Sequence, residues 1–492
     1  MKHLRKIMSV LLTAIMVLAM CVPVMAENVN LSNHTFAAYQ IFKGDFTSKK
    51  LTNIDWGEGV DSAALLADLQ TKEEYVNCNT VTKVAEKLSE LANNTDKVQE
   101  FADIVKSHLI DGKKITGTGT IELPAAGYYF IEDTTNVDGQ DDAKNFSLLK
   151  VNAAGTVTPQ VKTDKPILEK KVKDINDSTS NSTTGWQDSA DYDIGDSIPY
   201  MLTATMGDLT YYETYSIKFI DTMTHLTLNE FAPFVVQVGD RTLNTGEYTK
   251  TWNSVTKTLE VAITDVKALG AANGTKVTVE YEATLDSDAT IGSTGNPNEA
   301  KLQYSNNPNE NGTGETAPDK NIVFTYKVVA NKVDADGKKL AGAAFELFKK
   351  NANGQFESVG IRNATKDENG NYTLSDNAKT TFEWNGLDDG DYRIEEVVTP
   401  EGYNTIAPIE FQVTADHEIE SNNPRLTRLV GGNGFTGEAS TGVISSSIVN
   451  KQGSTLPETG GIGTTIFYVV GVVLMLGAGV LLITKRRMSA KH

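Results

Sequence analysis

Apolar residues recur along this chain with two different periods. Val84, Leu88 and Leu91, then Val98, Phe101, Val105 and Leu109, fall three or four positions apart, which predicts helix between 84 and 109. Elsewhere the period is two: Lys276–Tyr281 (KVTVEY) alternates polar and apolar, and Tyr128–Ile131 forms a short strand-like piece. Thr-, Tyr- and Val-rich runs dominate residues 161–325, and short strands between Asp/Gly/Asn turns dominate 326–450. Regularly spaced short strands predict β-sandwiches. The expected fold is mainly β: tandem immunoglobulin-like β-sandwich domains in an elongated array, with a helical insertion in the first.

Two apolar runs have no period at all. The first, Ile7–Met20, follows Lys2, Arg5 and Lys6 and ends in Val24-Met25-Ala26 before Glu27, the layout of a secretory signal peptide. The second is the 18 uncharged residues Ile466–Ile483, just long enough to span a bilayer, followed by Lys485-Arg486-Arg487, which the positive-inside rule keeps cytoplasmic. The expected division is a signal peptide at 1–26, an N-terminal domain of strands and helices at 27–160, a middle sandwich at 161–325, a third sandwich at 326–450 and a terminal segment at 451–492.

The chain has 492 residues and a net charge of −19. The terminal segments to be removed hold seven Lys/Arg and no acid, so the mature chain carries 38 basic against 64 acidic residues, a net −26. That balance opposes nucleic-acid binding, which needs clustered Lys/Arg, and favours solubility and self-repulsion. Of two cysteines, Cys21 lies in the signal peptide, leaving Cys78 alone. An exported protein without disulfides must be stabilised in another way. The histidines His34, His108, His225 and His417 lack metal-ligand spacing, so neither a metal nor a cofactor is expected. Asp334-Ala335-Asp336-Gly337 opens like a calcium loop, but Phe345 stands where the loop needs Glu, so a hairpin turn is expected. No phosphate loop or nucleophile elbow is present, and no enzyme is expected.

The sequence also echoes itself. Ala37–Lys43 (AAYQIFK) parallels Ala343–Lys349 (AAFELFK), and Gly127–Asp133 parallels Gly390–Glu396 in the same order, suggesting one sandwich plan for both regions. Lysines break the apolar pattern in two strands. Alternation puts Lys170 on a face with Leu168 and Val172, and Lys332 with Val328 and Ala330. An inward lysine is costly unless paired or neutral, whereas a lysine at a strand end can reach water.

Several stretches carry family resemblances. Leu456-Pro457-Glu458-Thr459-Gly460, with the apolar run and basic tail behind it, resembles the sorting signal of Gram-positive surface proteins. The resemblance implies that a sortase cleaves Thr459–Gly460 and passes the Thr459 acyl group to an amine. Asn331–Leu347 (NKVDADGKKLAGAAFEL) resembles the opening of a collagen-adhesin B-type domain. Tyr392–Tyr403 (YRIEEVVTPEGY) is similar to that family's acidic box, with Val397 and Thr399 departing from it, and Asn450 matches its last-strand asparagine. The implied chemistry is an intramolecular isopeptide bond. Burial would leave the Lys332 amine neutral, able to attack the Asn450 amide, while a protonated Glu396 polarises the carbonyl and shuttles protons as ammonia leaves.

The middle region resembles the pilin middle domain in the same sense. Lys170 would join Asn298, whose stretch Asn298–Tyr304 resembles that domain's closing strand, with Asp221 as the acid. Alternation favours Lys170, and Lys171 is its competitor. Aligning the echo carries Lys332 back to Ala26, so no such bond is expected in the first domain despite Asp133 at the acid position. Backbone pilins of Gram-positive bacteria offer an acceptor lysine near the end of the first domain, often in a YPK-type motif. Lys162 is the best match here, in a departure from that motif, with Lys165 as rival. The resemblance implies a wall-attached fimbrial shaft subunit, with sortase, further copies of itself and peptidoglycan as partners. Minor pilins and host surface ligands are additional candidates. A singly anchored adhesin or a minor base or tip pilin is the alternative.

Overall fold

The structure is a computed structural model that describes residues 31–47, 50–159, 165–179, 183–308, 311–453 and 462–489. The signal peptide, Lys162 and the sorting motif Leu456–Gly460 lie outside the described residues. Strands fall into three groups along the chain, followed by one long helix, Ile462–Ser489.

In the first group a sheet runs in the order Lys50–Trp56, Thr35–Thr47, Gly127–Asp133, Phe146–Val151, with Ile115–Thr118 paired to the start of the second strand. Both central strands are apolar on both faces. Ala37, Tyr39, Tyr128 and Phe130 pack with the helices, while Phe36, Ala38, Tyr129 and Ile131 pack against the small ladder of Ile121–Leu123 and Gly155–Val157. The helices are Ser62–Leu69, Val81–Glu90 and Thr95–Lys106, begun by Asp61, Thr80 and Asn94, whose side chains each accept from the N3 amide. The periodicity located the second and third. The first went unread, because Ala and Leu crowd all round its eight residues. This group is therefore one sheet with helices and a two-stranded ladder in place of a second full sheet.

The echo reflects a shared strand order with a different register. The Thr35–Thr47 strand lies between its hairpin partner and Gly127–Asp133, as Ala344–Lys350 lies between Phe356–Arg362 and Gly390–Val398. However, Ala38 faces Ile131 in the first, whereas Leu347 faces Ile394 in the second.

The middle group is a sandwich. One sheet carries Ile167–Val172 at its edge beside Ser197–Thr205 and Lys276–Leu285. The other is ordered Thr249–Asn253, Thr258–Ile263, Ile217–Met223, Asn296–Ser305, Asp319–Phe324, Ser189–Asp191. Its core includes Leu202, Phe219, Val261, Val279, Leu302 and Tyr304. Asn298 is not on the closing strand as expected: Thr313–Glu315 and Asp319–Phe324 follow it and pair with its strand.

The third group sets Thr381–Leu387, Tyr326–Val333, Val443–Val449 and Thr436–Glu438 against a five-stranded sheet containing Ala344–Lys350 and Gly390–Val398. Its first and last long strands are parallel neighbours, Lys332 opposite Ile448. Asp334 accepts from the amides of Asp336 and Lys338 in the expected hairpin turn, with Gly337 at φ +78°.

Hydrogen bonds join the first group to the second. The fully buried Asn306 donates from Nδ2 to the carbonyls of Val137 at 2.6 Å and Asp142 at 3.0 Å. Asn306→Ala should therefore destabilise this joint by about 1–3 kcal/mol. Hydrogen exchange should show faster opening of residues 137–145, and an unchanged rate would contradict the assignment.

Candidate functional site

Lys332 is fully buried in the third group, in the strand beside Val443–Val449. Its Nζ donates to the Ile448 carbonyl at 3.0 Å and, in a shorter contact, to Asn450 Oδ1. Asn450 follows the last strand and is itself fully buried. Its amide nitrogen donates to both Glu396 oxygens, at 3.0 and 2.9 Å. Glu396 comes from the facing sheet, 3.7 Å from the Lys332 amine, and accepts from the Ile406 amide and the Thr399 hydroxyl. Burial pulls the Lys332 amine below its ordinary pKa, against the opposing pull of Glu396. The amine thus meets the amide on its oxygen side while the carboxyl group holds the nitrogen side.

A second buried lysine occupies the middle group. Lys170 is fully buried, and its Nζ donates to both Asp221 oxygens at 2.9 and 2.8 Å and to the Tyr281 hydroxyl at 2.9 Å. Tyr281 donates in a short contact to Asp221 and accepts from the Asn298 amide nitrogen at 3.0 Å. Asn298 Oδ1 is buried without a hydrogen-bond partner. Burial pushes the Lys170 amine down, opposed by Asp221, and pushes the Tyr281 phenol well up, so that it stays neutral. The sequence pattern put Tyr281 on an apolar face, where a tyrosine reads as core. Its role as the bridge among Lys170, Asp221 and Asn298 needs the fold. Two further residues escaped the sequence reading. Asp319 accepts from the Lys170 amide at 2.7 Å, and Asn321 donates to the Lys170 carbonyl at 3.1 Å, so both position the lysine's backbone.

The competitor lysines sit elsewhere. Lys171 points to the opposite face and pairs with Asp188 at 2.6 Å; burial lowers its pKa, but the carboxylates outweigh that and the net shift is upward. Lys165 pairs with Asp141 at 2.8 Å. In the first group Asp133 is buried against a histidine, His34, at 2.6 Å, and Asp142 takes the other ring nitrogen at 2.9 Å. Burial lowers the His34 pKa, and the two carboxylates more than reverse it. The histidines are scattered in sequence but not all alone in space: His417 Nε2 lies 3.3 Å from Asp174 and 3.6 Å from Asp191. The Ile462–Ser489 helix contains an exposed apolar span, Phe467–Arg486, long enough to cross a membrane.

Comparison with known proteins gives the setting. Residues 326–425 match the Prealbumin-like fold domain, SpaA, and residues 448–489 match the LPXTG cell wall anchor motif. The trypsin-resistant surface T6 protein of Streptococcus pyogenes is 23% identical over 90% of this chain and 96% of its own length. The anchor motif marks a protein attached to the cell wall. Similar solved structures include the T6 backbone pilin of S. pyogenes, 16% identical with a TM-score of 0.48 over 86% of this chain and 97% of that one. Another is the full-length major pilin SpaD of Corynebacterium diphtheriae, 15% identical with a TM-score of 0.42 over 86% and 94%.

The depressed amine has a measurable consequence. In Asn450→Ala the Lys332 amine has no amide to meet and stays titratable. Its folded pKa lies below the unfolded value of 10.5, so the unfolded chain binds more protons between those two values and stability rises with pH there. Urea unfolding of Asn450→Ala at pH 7 and 9 should show higher stability at pH 9. The double variant Lys332→Met/Asn450→Ala should lose that increment. Equal slopes in the two variants would contradict the burial argument.

Proposed function

We propose that this chain is a backbone pilin, a load-bearing shaft subunit that cross-links itself internally, Lys332 to Asn450 and Lys170 to Asn298, before sortase joins Thr459 of one subunit to Lys162 of the next. The observation that carries the reading is the Lys332–Asn450–Glu396 contact, in which amine, amide and carboxyl group meet in a dry interior. The amine nitrogen attacks the amide carbon, the bond from that carbon to Nδ2 breaks, and one amine proton leaves on the nitrogen as ammonia. Glu396 touches the nitrogen that departs and can carry that proton. Asp221 and the Tyr281 hydroxyl are the corresponding proton carriers around Lys170. Each bond forms once per molecule, without a cofactor.

The two cross-links would carry tension differently. Lys332 and Asn450 are 118 positions apart yet lie at the ends of neighbouring parallel strands, so pulling on the third group runs through the cross-link. Lys170 and Asn298 belong to opposite sheets, so their bond rivets the sandwich and leaves residues 299–325 in the force path. Loop-closure arguments give on the order of 4–5 kcal/mol for cross-links of such length. The mechanical effect matters more, since a covalent path bypasses the strands.

The ion pair of Lys165 with Asp141 favours Lys162 as the sortase acceptor, because an acceptor amine must be free to attack. In the sortase step that amine displaces the enzyme thiol from the Thr459 carbonyl. High-mass ladders resistant to hot SDS should disappear in Lys162→Ala; a single discrete band from the unaltered chain would favour a singly anchored adhesin. Intact-mass spectrometry of residues 27–459 should show a deficit of two ammonias, about 17 Da each. Glu396→Ala and Asp221→Ala should each restore one, with lower protease resistance. A full-mass spectrum for the unaltered chain would reject both bonds.

A further inference from the structure

The joint between the middle and third strand groups gathers carboxylates that neither cross-link uses. Asp191 ends the short Ser189–Asp191 strand of the middle group, beside Phe324. Asp388 and Asp389 form the turn between Thr381–Leu387 and Gly390–Val398 in the third group. One oxygen from each of the three lies within 4.8 Å of the other two. Carboxylates held this close in a dry joint repel strongly unless a proton neutralises one of them or a cation lies between them.

The neighbouring cations do not supply it fully. Lys349 lies 3.6 Å from Asp388 but is shared with Asp177 and Asp193, each at 2.6 Å. His417 lies on the far side, 3.6 Å from Asp191 Oδ1. Asp191 is 3% exposed and Asp388 fully buried, yet Oδ2 of each has no hydrogen-bond partner. The buried Tyr326 hydroxyl lies beside the same three carboxylates, within hydrogen-bonding reach of Asp191. Buried polar atoms are almost always paired, so two carboxylate oxygens without a donor around one point mark a missing partner.

We propose that a calcium ion binds between Asp191, Asp388 and Asp389 and staples the middle group to the third. The donors are all oxygen, which selects a hard cation. They come from a strand end and an irregular turn, a set that calcium tolerates better than magnesium, which demands near-octahedral geometry. The turn is preorganised: the Asp388 amide donates to Asp193 at 2.7 Å, the Asp389 amide to Asp388 Oδ1 at 2.7 Å, and the Tyr392 hydroxyl to the Asp388 carbonyl at 2.7 Å. Asp388 Oδ2, 3.6 Å from the Lys349 amine, and Asp191 Oδ2 have no hydrogen-bond donor and are the oxygens offered to the ion. Calcium would stiffen the same joint through which residues 299–325 pass tension. Its binding stands whether or not the isopeptide bonds form.

The test uses the 27–459 chain stripped with EDTA. Calorimetric titration with calcium chloride should show one equivalent binding in the range of about 10⁻⁵–10⁻³ M, spanning sensor and extracellular sites. The unfolding temperature should rise with calcium concentration. Asp191→Asn/Asp388→Asn should lose both responses. Terbium, substituted for calcium, should luminesce on tyrosine excitation in the unaltered chain, and Tyr326→Phe, which keeps the ring, should lose most of that signal. No stoichiometric binding at 10-fold above that range would overturn the site. Magnesium binding as tightly as calcium, or zinc displacing it through Asp174 and His417, would overturn the assignment of the ion.

Discussion

The structure turns on the dehydration of a lysine amine. An ammonium group at the end of four methylenes ordinarily stays in water, and the strand geometry around Lys332 and Lys170 denies it that course. Each amine is sealed between sheets, is pulled toward its neutral form and has a carboxyl group within reach. A permanently charged amine there would cost stability. A neutral one is a nucleophile, and both lysines lie near a fully buried asparagine.

The two sites solve the same problem on different scaffolds. In the third group, amine and amide come from parallel neighbours in one sheet, and the acid reaches across from the other. In the middle group the amine crosses between sheets, and a neutral tyrosine hydroxyl links it to acid and amide. With the proposed cross-links, the third group would act as a shear element and the middle one as a riveted sandwich whose last strand still bears load. The joint after that strand is where Asp191, Asp388 and Asp389 converge.

Much of this could be read from the residues. Two-residue alternation pointed Lys170 and Lys332 inward, and three- and four-residue spacing located the Val81–Glu90 and Thr95–Lys106 helices. The apolar terminal run marked the membrane-length helix. What the sequence hid depends on long-range pairing. Tyr281 is indistinguishable from core by pattern, and Asp319 and Asn321 lie in a strand masked by a Pro- and Gly-bearing loop. His34 meets Asp133 only because the first strand pairs with one nearly a hundred residues later. The carboxylates at the joint are close because two strand groups meet, which local periodicity does not record.

The most direct test is a crystal structure of the mature chain, at a resolution that separates bonded from nonbonded atoms. Continuous density from Lys332 Nζ to the Asn450 side-chain carbon, at the amide C–N length of about 1.33 Å, is the predicted result. Two separate side chains at van der Waals distance, with Nδ2 still bonded to the Asn450 side-chain carbon, would contradict the account.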